Sequence, residues 1–314
     1  MVEEKDCVSL AVESPIQIFV GTQQEQMLAV KVLEYSIKKY ASMAVTVTPL
    51  FTAIHQAGIN IPEPQNPKLK PKTPFSFQRF AIPALKNYHG RAIYLDSDMQ
   101  VFQDIKELWL LPFNGAELLS VYEPKDSGRP PQFSVMVINC EQLQWNVTEL
   151  VQELERGRWT YEQFILEMAP AEKIAAVIPT KWNDLEHYTA GKTALTHYTD
   201  IPTQPWLTTQ NNLGWLWCQE MLNAIQEGFI SEKFVREEVA KGWVRPSLIY
   251  QLKHQIIDPR ELPASIFYKD KLEFVPPHAM KNINNMINNQ RIPQFWQKNM
   301  IKIYALARFL INKL

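Results

Sequence analysis

The chain has 314 residues, a mass of 36.5 kDa and a formal net charge of -1, which excludes a global attraction to nucleic acid or to an acidic membrane. Hydrophobic residues at 46% and charged residues at 21% predict a globular protein with a sizeable core, so any anionic ligand has to be met by local charge. Cys7, Cys140 and Cys218 are too scattered for a disulfide framework and no pair has metal-ligand spacing, which points to a reducing, cytosolic compartment. The opening MVEEKDC is acidic where a secretory signal needs positive charge, so the sequon at Asn146 is expected to be idle.

In chain order, PIQIFVG at 15–21 reads as a buried strand ending at Gly21 and Thr22. In MLAVKVLEYSIKKY after it, Leu28, Val32, Leu33, Tyr35 and Ile37 recur at helical spacing. Strand, short turn and long helix predict an α/β fold, and the β-branched run 44–50 predicts the second strand. Prolines 62, 64, 67, 71 and 74, with Lys68, Lys70 and Lys72 among them, exclude regular structure and predict a surface excursion. FSFQRFAIPALKNY follows as a helix interrupted near Pro83, and the apolar run 92–95 then delivers Asp96 and Asp98.

VFQDIKELW gives a turn and short helix, 116–122 a strand, and 132–143 a strand that turns at Asn139. WNVTELVQELERG predicts a helix with Leu150 and Leu154 on its apolar side, and 159–170 a second short helix. The alternation predicts one doubly layered α/β domain with a mostly parallel sheet, which binds ligands at the carboxyl ends of its strands. Asp96 and Asp98 fall there.

Being two apart, the pair faces one way on a strand while Ser97 faces the other, so both carboxylates can reach one hard cation. Buried together without it they repel, and one has to take up a proton. An exposed Asp-x-Asp turn is the competing reading.

The last segment differs in character. An asparagine-rich stretch at 282–289 leads to FWQKNMIKIYALARFLINKL, in which Ile301, Tyr304, Phe309 and Ile311 alternate with Lys298, Lys302 and Lys313. We divide the chain into one catalytic domain over 1–280 and a basic amphipathic helical tail over 281–314. The tail either caps the core or lies on an anionic membrane surface.

Taken together, ordered blocks from about 16 to 206 resemble the retaining glycosyltransferases that include glycogenin and the bacterial lipooligosaccharide galactosyltransferases, glycosyltransferase family 8. FSFQRFAIP resembles that family's arginine-bearing helix, YLDSDM its Asp-x-Asp motif and FSVMVINC its sugar-cradling segment. YEQFILE resembles a D-Q-D-x-L-N segment, IPTKWNDL a tryptophan-asparagine block, and HYTDIPTQPW the pattern H-(F/Y)-x-G-x-x-K-P-W. The resemblance implies the GT-A nucleotide-diphospho-sugar transferase fold, a central mostly parallel mixed sheet flanked by helices. It also implies metal-dependent, retaining transfer of a hexosyl group from a nucleotide-diphosphate sugar, UDP-linked, to a saccharide or glycolipid acceptor.

On this resemblance Arg79 clamps the donor phosphates, a task suited to a guanidinium. Asp96 touches nucleotide and metal, and Asp98 and His197 complete the ligand set for Mn2+ or Mg2+. Gly21 and Thr22 meet the nucleotide, Asn139 the donor sugar, and Gln204 stands at the diphosphate. Glu162 and Gln163 hold the sugar beside the anomeric carbon, and Trp182 and Asn183 fix a loop on the acceptor side. A front-face substitution is preferred, because Gln163 is a weak nucleophile.

The sequence also departs from the pattern. Phe133 replaces an asparagine, Val135 a glycine, Phe164 an aspartate and Asp200 a glycine, and Gln204 replaces the lysine that meets the leaving diphosphate, with Lys181 or Lys192 as candidate substitutes. Gln23 and Gln24 leave the base identity open. These departures motivate the alternative of a catalytically weak nucleotide-sugar-binding relative, acting as sensor or assembly partner in polysaccharide biosynthesis. A sugar-nucleotide pyrophosphorylase is a third class, against which stands the missing glycine-rich loop after the first strand. The expected location is cytoplasmic, with peripheral contact on the inner face of a membrane if the terminal helix is interfacial; no nucleic-acid partner is expected.

Overall fold

The structure, a computed structural model, describes residues 14–280 apart from 74, 125, 127 and 130; Cys7 and the tail predicted over 281–314 lie outside the described residues. Strand β1 (Ile16–Gly21) is followed by helix α1 (Met27–Tyr40), strand β2 (Val45–Pro49) and helix α2 (Leu50–Gln56), close to the sequence-based bounds. Ile16, Ile18 and Val20 face Val30, Leu33 and Ile37 of α1, while Phe19 enters a separate core on the other side of the sheet. A strand buried on both faces needs the near-continuous apolar run seen in IQIFVG. The proline-rich excursion holds one short 3-10 turn, Pro67–Leu69.

The helix expected around Arg79 is split. A 3-10 turn, Gln78–Ala81, runs into the single α-turn α3 (Ile82–Leu85), where Pro83 sits in the first turn and its missing N–H leaves no bond unmade. Next come β3 (Arg91–Asp96), β4 (Met99–Val101), α4 (Lys106–Trp109), β5 (Leu118–Val121) and β6 (Gln132–Asn139). The short strand β4 was not expected from the sequence pattern. Helix α5 (Val147–Glu155) starts at Asn146, whose Oδ1 accepts from the backbone of Thr148 and Glu149; the sequon asparagine is thus an N-cap. Helix α6 (Tyr161–Leu166) and strands β7 (Ile174–Ile178), β8 (Asp184–Leu185) and β9 (Leu195–His197) follow.

The main sheet has the order β2-β1-β3-β6-β5-β7, and β4-β9-β8 form a small second sheet. All main strands run one way except β6, which is antiparallel to both neighbours. The carboxyl ends of β1, β3, β5 and β7 therefore share one edge.

Beyond residue 206, where no sequence motif was readable, helices α7 (Gly214–Gln226), α8 (Glu232–Ala240), α9 (Ser247–His254) and α10 (Ala264–Glu273) build a third core. It packs on Leu28, Ala29, Val32 and Tyr35, so α1 is apolar around much of its circumference because it is clasped from two sides. Lys39 of α1 pairs with Glu220 of α7 at 2.8 Å. Arg245, fully buried, donates from Nε to the Pro205 carbonyl at 2.9 Å and from Nη2 to Gln251. This ties the helices to the chain segment that carries Gln204. Among the described residues no helix is long and apolar enough to cross a membrane.

Replacing the cap Asn146→Ala is expected to cost about 1 kcal/mol of stability, whereas Asn146→Asp keeps the acceptor and most of the stability. Chemical denaturation of the three proteins checks this.

Candidate active site

Asp96 is the last residue of β3 and lies beside Gly21, the last residue of β1. Two residues back and on the same strand face, buried Tyr94 donates its hydroxyl proton to Asp96 Oδ1. The Arg79 guanidinium lies over the Tyr94 ring at 4.7 Å, donates from Nη2 to its hydroxyl at 3.2 Å and reaches Asp96 Oδ1 at 3.7 Å. Nη1 donates to the Phe133 carbonyl at 3.2 Å. The tyrosine fixes the identity of its neighbour: a Cβ on Gly21 would stand 2.3 Å from the Tyr94 hydroxyl oxygen. Tyr94 was missed as a site residue, although the two-residue strand period links it to Asp96.

Asp98 follows in the bend between β3 and β4, so strand alternation is not what aligns it with Asp96. The β4–β9 ladder does that by setting Met99 opposite His197, with the Tyr198 N–H donating to the Asp98 carbonyl at 2.8 Å. His197 Nε2 lies 3.1 Å from Asp98 Oδ1, and Nδ1 lies 2.9 Å from Asn183 Oδ1. The buried Gln204 amide donates to Asp98 Oδ2 at 2.9 Å and to the Tyr198 carbonyl at 3.0 Å. One ligand atom from each of Asp96, Asp98 and His197 falls within 4.8 Å of the others. Ser97 points away, donating to Gln26 Oε1 at 3.1 Å.

Two carboxylates and an imidazole form a set suited to a hard or borderline divalent cation. Because an amide oxygen only accepts, Asn183 makes Nδ1 the protonated nitrogen and leaves Nε2 as the ligand atom in the neutral ring. The electrostatics without a cation are those of a crowded acidic site. Burial raises the Asp96 pKa, Asp98 adds to this, and Arg79 opposes it. For His197, burial disfavours the charged ring, but the Asp98 carboxylate, with Asp96 and Glu186, outweighs it and holds the pKa above the ordinary imidazole value. The residues present thus fit a dication, which would relieve the repulsion that raises Asp96.

Gly21, Thr22, Arg79, Asp96, Asp98, His197 and Gln204 gather at this edge. Thr22 is buried just beyond β1, with its N–H 3.5 Å from Gln78 Oε1 next to Arg79. Gln204, however, is bound to Asp98 within the protein, a contact the sequence pattern did not suggest.

Three expected residues lie elsewhere. Asn139 pairs with Arg91 at the start of β3, and its Oδ1 accepts from the Glu141 and Gln142 N–H groups. It is a turn residue at the opposite sheet edge, about 16 Å of strand away from Asp96. Because β6 is antiparallel, only its beginning, at Phe133, reaches the site. Gln163 is exposed and closes a capping box with Thr160, accepting from the Thr160 N–H at 2.9 Å. Glu162 is an exposed residue of the same helix, which buries Tyr161 and Phe164 instead. No hydrogen bond or ion pair among the described residues links either to Arg79, Asp96 or Asp98. Lys181 is held by Glu107 at 2.7 Å and by Gln103, so it does not stand in for the missing lysine. Trp182 is fully buried in the core, and Asn183, expected on the acceptor side, serves His197.

Among solved structures, the apo bifunctional glycosyltransferase WbbM superposes with a TM-score of 0.52 at 14% identity, over 70% of this chain and 52% of that one. The glycosyltransferase GlyE of Streptococcus pneumoniae TIGR4 gives a TM-score of 0.48 at 15% identity, over 67% and 61%. The likeness to WbbM concerns the fold, which is the mixed, mostly parallel GT-A arrangement expected. Protein CDI of Arabidopsis thaliana is 34% identical over 119 residues, 37% of this chain and 45% of that protein. The chain thus spans about half the length of WbbM and of the curated relative it matches. Residues 8–210, well over half of the chain and every residue of the Asp96 cluster, match glycosyl transferase family 8, and the chain belongs to that family.

Proposed function

We propose that this protein is a metal-dependent retaining glycosyltransferase that moves a hexosyl group from a nucleotide-diphosphate sugar, UDP-linked, to a saccharide or glycolipid acceptor. The observation that carries the reading is the convergence of Asp96, Asp98 and His197 within 4.8 Å beside Arg79, in a chain of this family. A bound Mn2+ or Mg2+ supplies Lewis-acid stabilisation of the departing diphosphate.

The residues prepare the rest. Arg79 is held rigid by Tyr94 and the Phe133 carbonyl, so it meets developing phosphate charge without reorganising; a pre-positioned donor of this kind is worth about 3 kcal/mol at the transition state. Gly21 lets the Tyr94 hydroxyl close onto Asp96 and, with Thr22, lies at the edge where the nucleotide enters. Gln204 and Asn183 orient Asp98 and His197. Gln163 is a weak nucleophile, which favours front-face substitution as the route to retention, with the departing phosphate oxygen taking the acceptor's proton.

A second reading, a nucleotide-sugar-binding relative with weak catalysis, is favoured by one observation: Gln163 and Gln204 are both occupied within the protein. Metal-dependent donor hydrolysis separates the two readings. We also place the protein in the cytoplasm, in keeping with the buried free thiols of Cys140 and Cys218. The single catalytic domain over 1–280, with a tail over 281–314 that either caps the core or makes a peripheral membrane contact, completes the proposal.

Calorimetric titration with Mn2+ is expected to show Asp98→Ala losing at least about a hundredfold in affinity and Mn2+-dependent UDP-sugar hydrolysis disappearing with it. Unchanged hydrolysis in this variant would remove the metal from the mechanism. Gln204→Ala, which frees one Asp98 oxygen, is expected to weaken Mn2+ about tenfold by the same titration.

The pH dependence has a defined sign. The metal needs neutral His197, whose pKa is held above the ordinary value, so Mn2+ affinity falls as pH drops through that raised pKa, and metal binding releases protons below it. In the metal-free protein the raised pKa acts oppositely. The His197–Asp98 pair stabilises fully below the unfolded imidazole pKa and loses this as pH rises through the folded one. Titrations in buffers of different ionisation heat, with thermal unfolding of the apo protein across the same range, test both signs.

A further inference from the structure

Gln204 stands just past a 3-10 turn, Ile201–Thr203, so no strand ladder fixes its backbone in the way that β4 and β9 fix Asp98 and His197. Its carbonyl accepts from the N–H groups of Leu207 and Thr208 at 2.8 and 3.1 Å, and the next two carbonyls both go to one distant residue. Arg245 Nε donates to the Pro205 carbonyl and the Arg245 N–H to the Trp206 carbonyl, each at 2.9 Å. Pro205 also fixes φ at the position next to Gln204. Three successive carbonyls are thus held, two of them by an arginine that lies beyond residues 8–210, the span that matches the family.

The remaining guanidinium donors face the helical module. Nη1 donates to Ser247 Oγ and Nη2 to Gln251 Oε1, and the whole side chain is buried. A buried guanidinium is costly unless a negative charge compensates it. Asp270 of α10 supplies that charge through one intervening hydroxyl: its Oδ2 accepts from Ser247 Oγ and its Oδ1 from the Ser247 N–H at 2.8 Å. Asp270 is also the one buried residue of α10, so the seat of this helix against α9 depends on the carboxylate. An unbroken series of hydrogen bonds therefore runs from Asp270 through Ser247 and Arg245 to Pro205, the neighbour of the glutamine that holds Asp98.

We propose that Arg245 is a positioning residue for the metal site and that Asp270 sets Arg245, so that affinity for the divalent cation responds to how α10 is seated. The assignment rests on the metal-dependent reading above. Arg245 acts by holding the backbone around Gln204, which keeps the amide on Asp98 Oδ2 and fixes that carboxylate for the cation. A lysine in its place keeps the charge but has no planar fork to serve Pro205, Ser247 and Gln251 together.

Calorimetric Mn2+ titration of the full chain tests this with Arg245→Lys, Ser247→Ala and Gln204→Ala, and with each of the first two combined with the third. Arg245→Lys is expected to weaken Mn2+ about tenfold, and Ser247→Ala, which removes a single hydroxyl, about threefold. In either combination the loss should stay within about twofold of that in Gln204→Ala alone, because both changes act through one amide. Amide exchange of the metal-free protein gives a second readout. The Leu207 and Thr208 N–H groups should exchange faster in Arg245→Lys and Ser247→Ala while β1 and β3 keep their protection, a local change that a general loss of stability does not imitate. Unchanged Mn2+ affinity in the single variants, additive losses in the combinations, or exchange that rises equally in β1 overturns the proposal. If Arg245→Lys does not fold, Ser247→Ala and its combination carry the same test. A parent protein that binds no Mn2+ refutes the metal reading instead, and exchange at Leu207 and Thr208 then still decides whether Arg245 positions Gln204.

Discussion

Two carboxylates brought to one half-buried edge impose a constraint that the surrounding structure is arranged to meet. Asp96 and Asp98 cannot both stay charged there without compensation. On one side Arg79 and the Tyr94 hydroxyl address Asp96; on the other His197 and the Gln204 amide divide the two oxygens of Asp98 between them. All four groups are buried, and three of them are held by a further contact: Arg79 by Phe133, His197 by Asn183, Gln204 by Tyr198. The result is a preorganised acidic site in which a dication would replace repulsion by coordination.

Delivering those groups takes both sheets and the helical module. The main sheet supplies Gly21, Tyr94 and Asp96, and the small sheet sets His197 opposite Met99. The segment carrying Gln204 is anchored from behind by Arg245, whose guanidinium and backbone bind Pro205 and Trp206. Helix α1 joins the layers, one face on the sheet and the other on the helices. The region after residue 206 therefore acts on the site through the backbone that it pins, at some distance from the chemistry itself.

Strand direction decides which part of each motif is usable. The reversal of β6 sends Phe133 to the active edge and Asn139 to the far one, so a segment that resembles a sugar cradle in sequence contributes a main-chain carbonyl in space. The same edge continues past β5 and β7 to a cavity lined in part by Thr180 and Asn183.

Local sequence determined a great deal here. The apolar run of β1, the helical periodicity of α1, the β-branched residues of β2 and the strand into Asp96 all act over a few residues, and the structure follows them closely. The acidic pair was legible from residue type and spacing, and Arg79 and His197 became candidates through the family resemblance of the blocks that carry them. What only the tertiary structure decided is which of them meet. Asp98 is aligned by a ladder to a strand about a hundred residues away, Gln204 is turned to Asp98 by the packing behind it, and Gln163 is drawn into a capping box by Thr160. Tyr94 reaches the site because it shares a strand face with Asp96, and Asn183 meets the His197 ring through its side chain. Such pairings depend on sheet order and strand direction, which short-range periodicity does not encode.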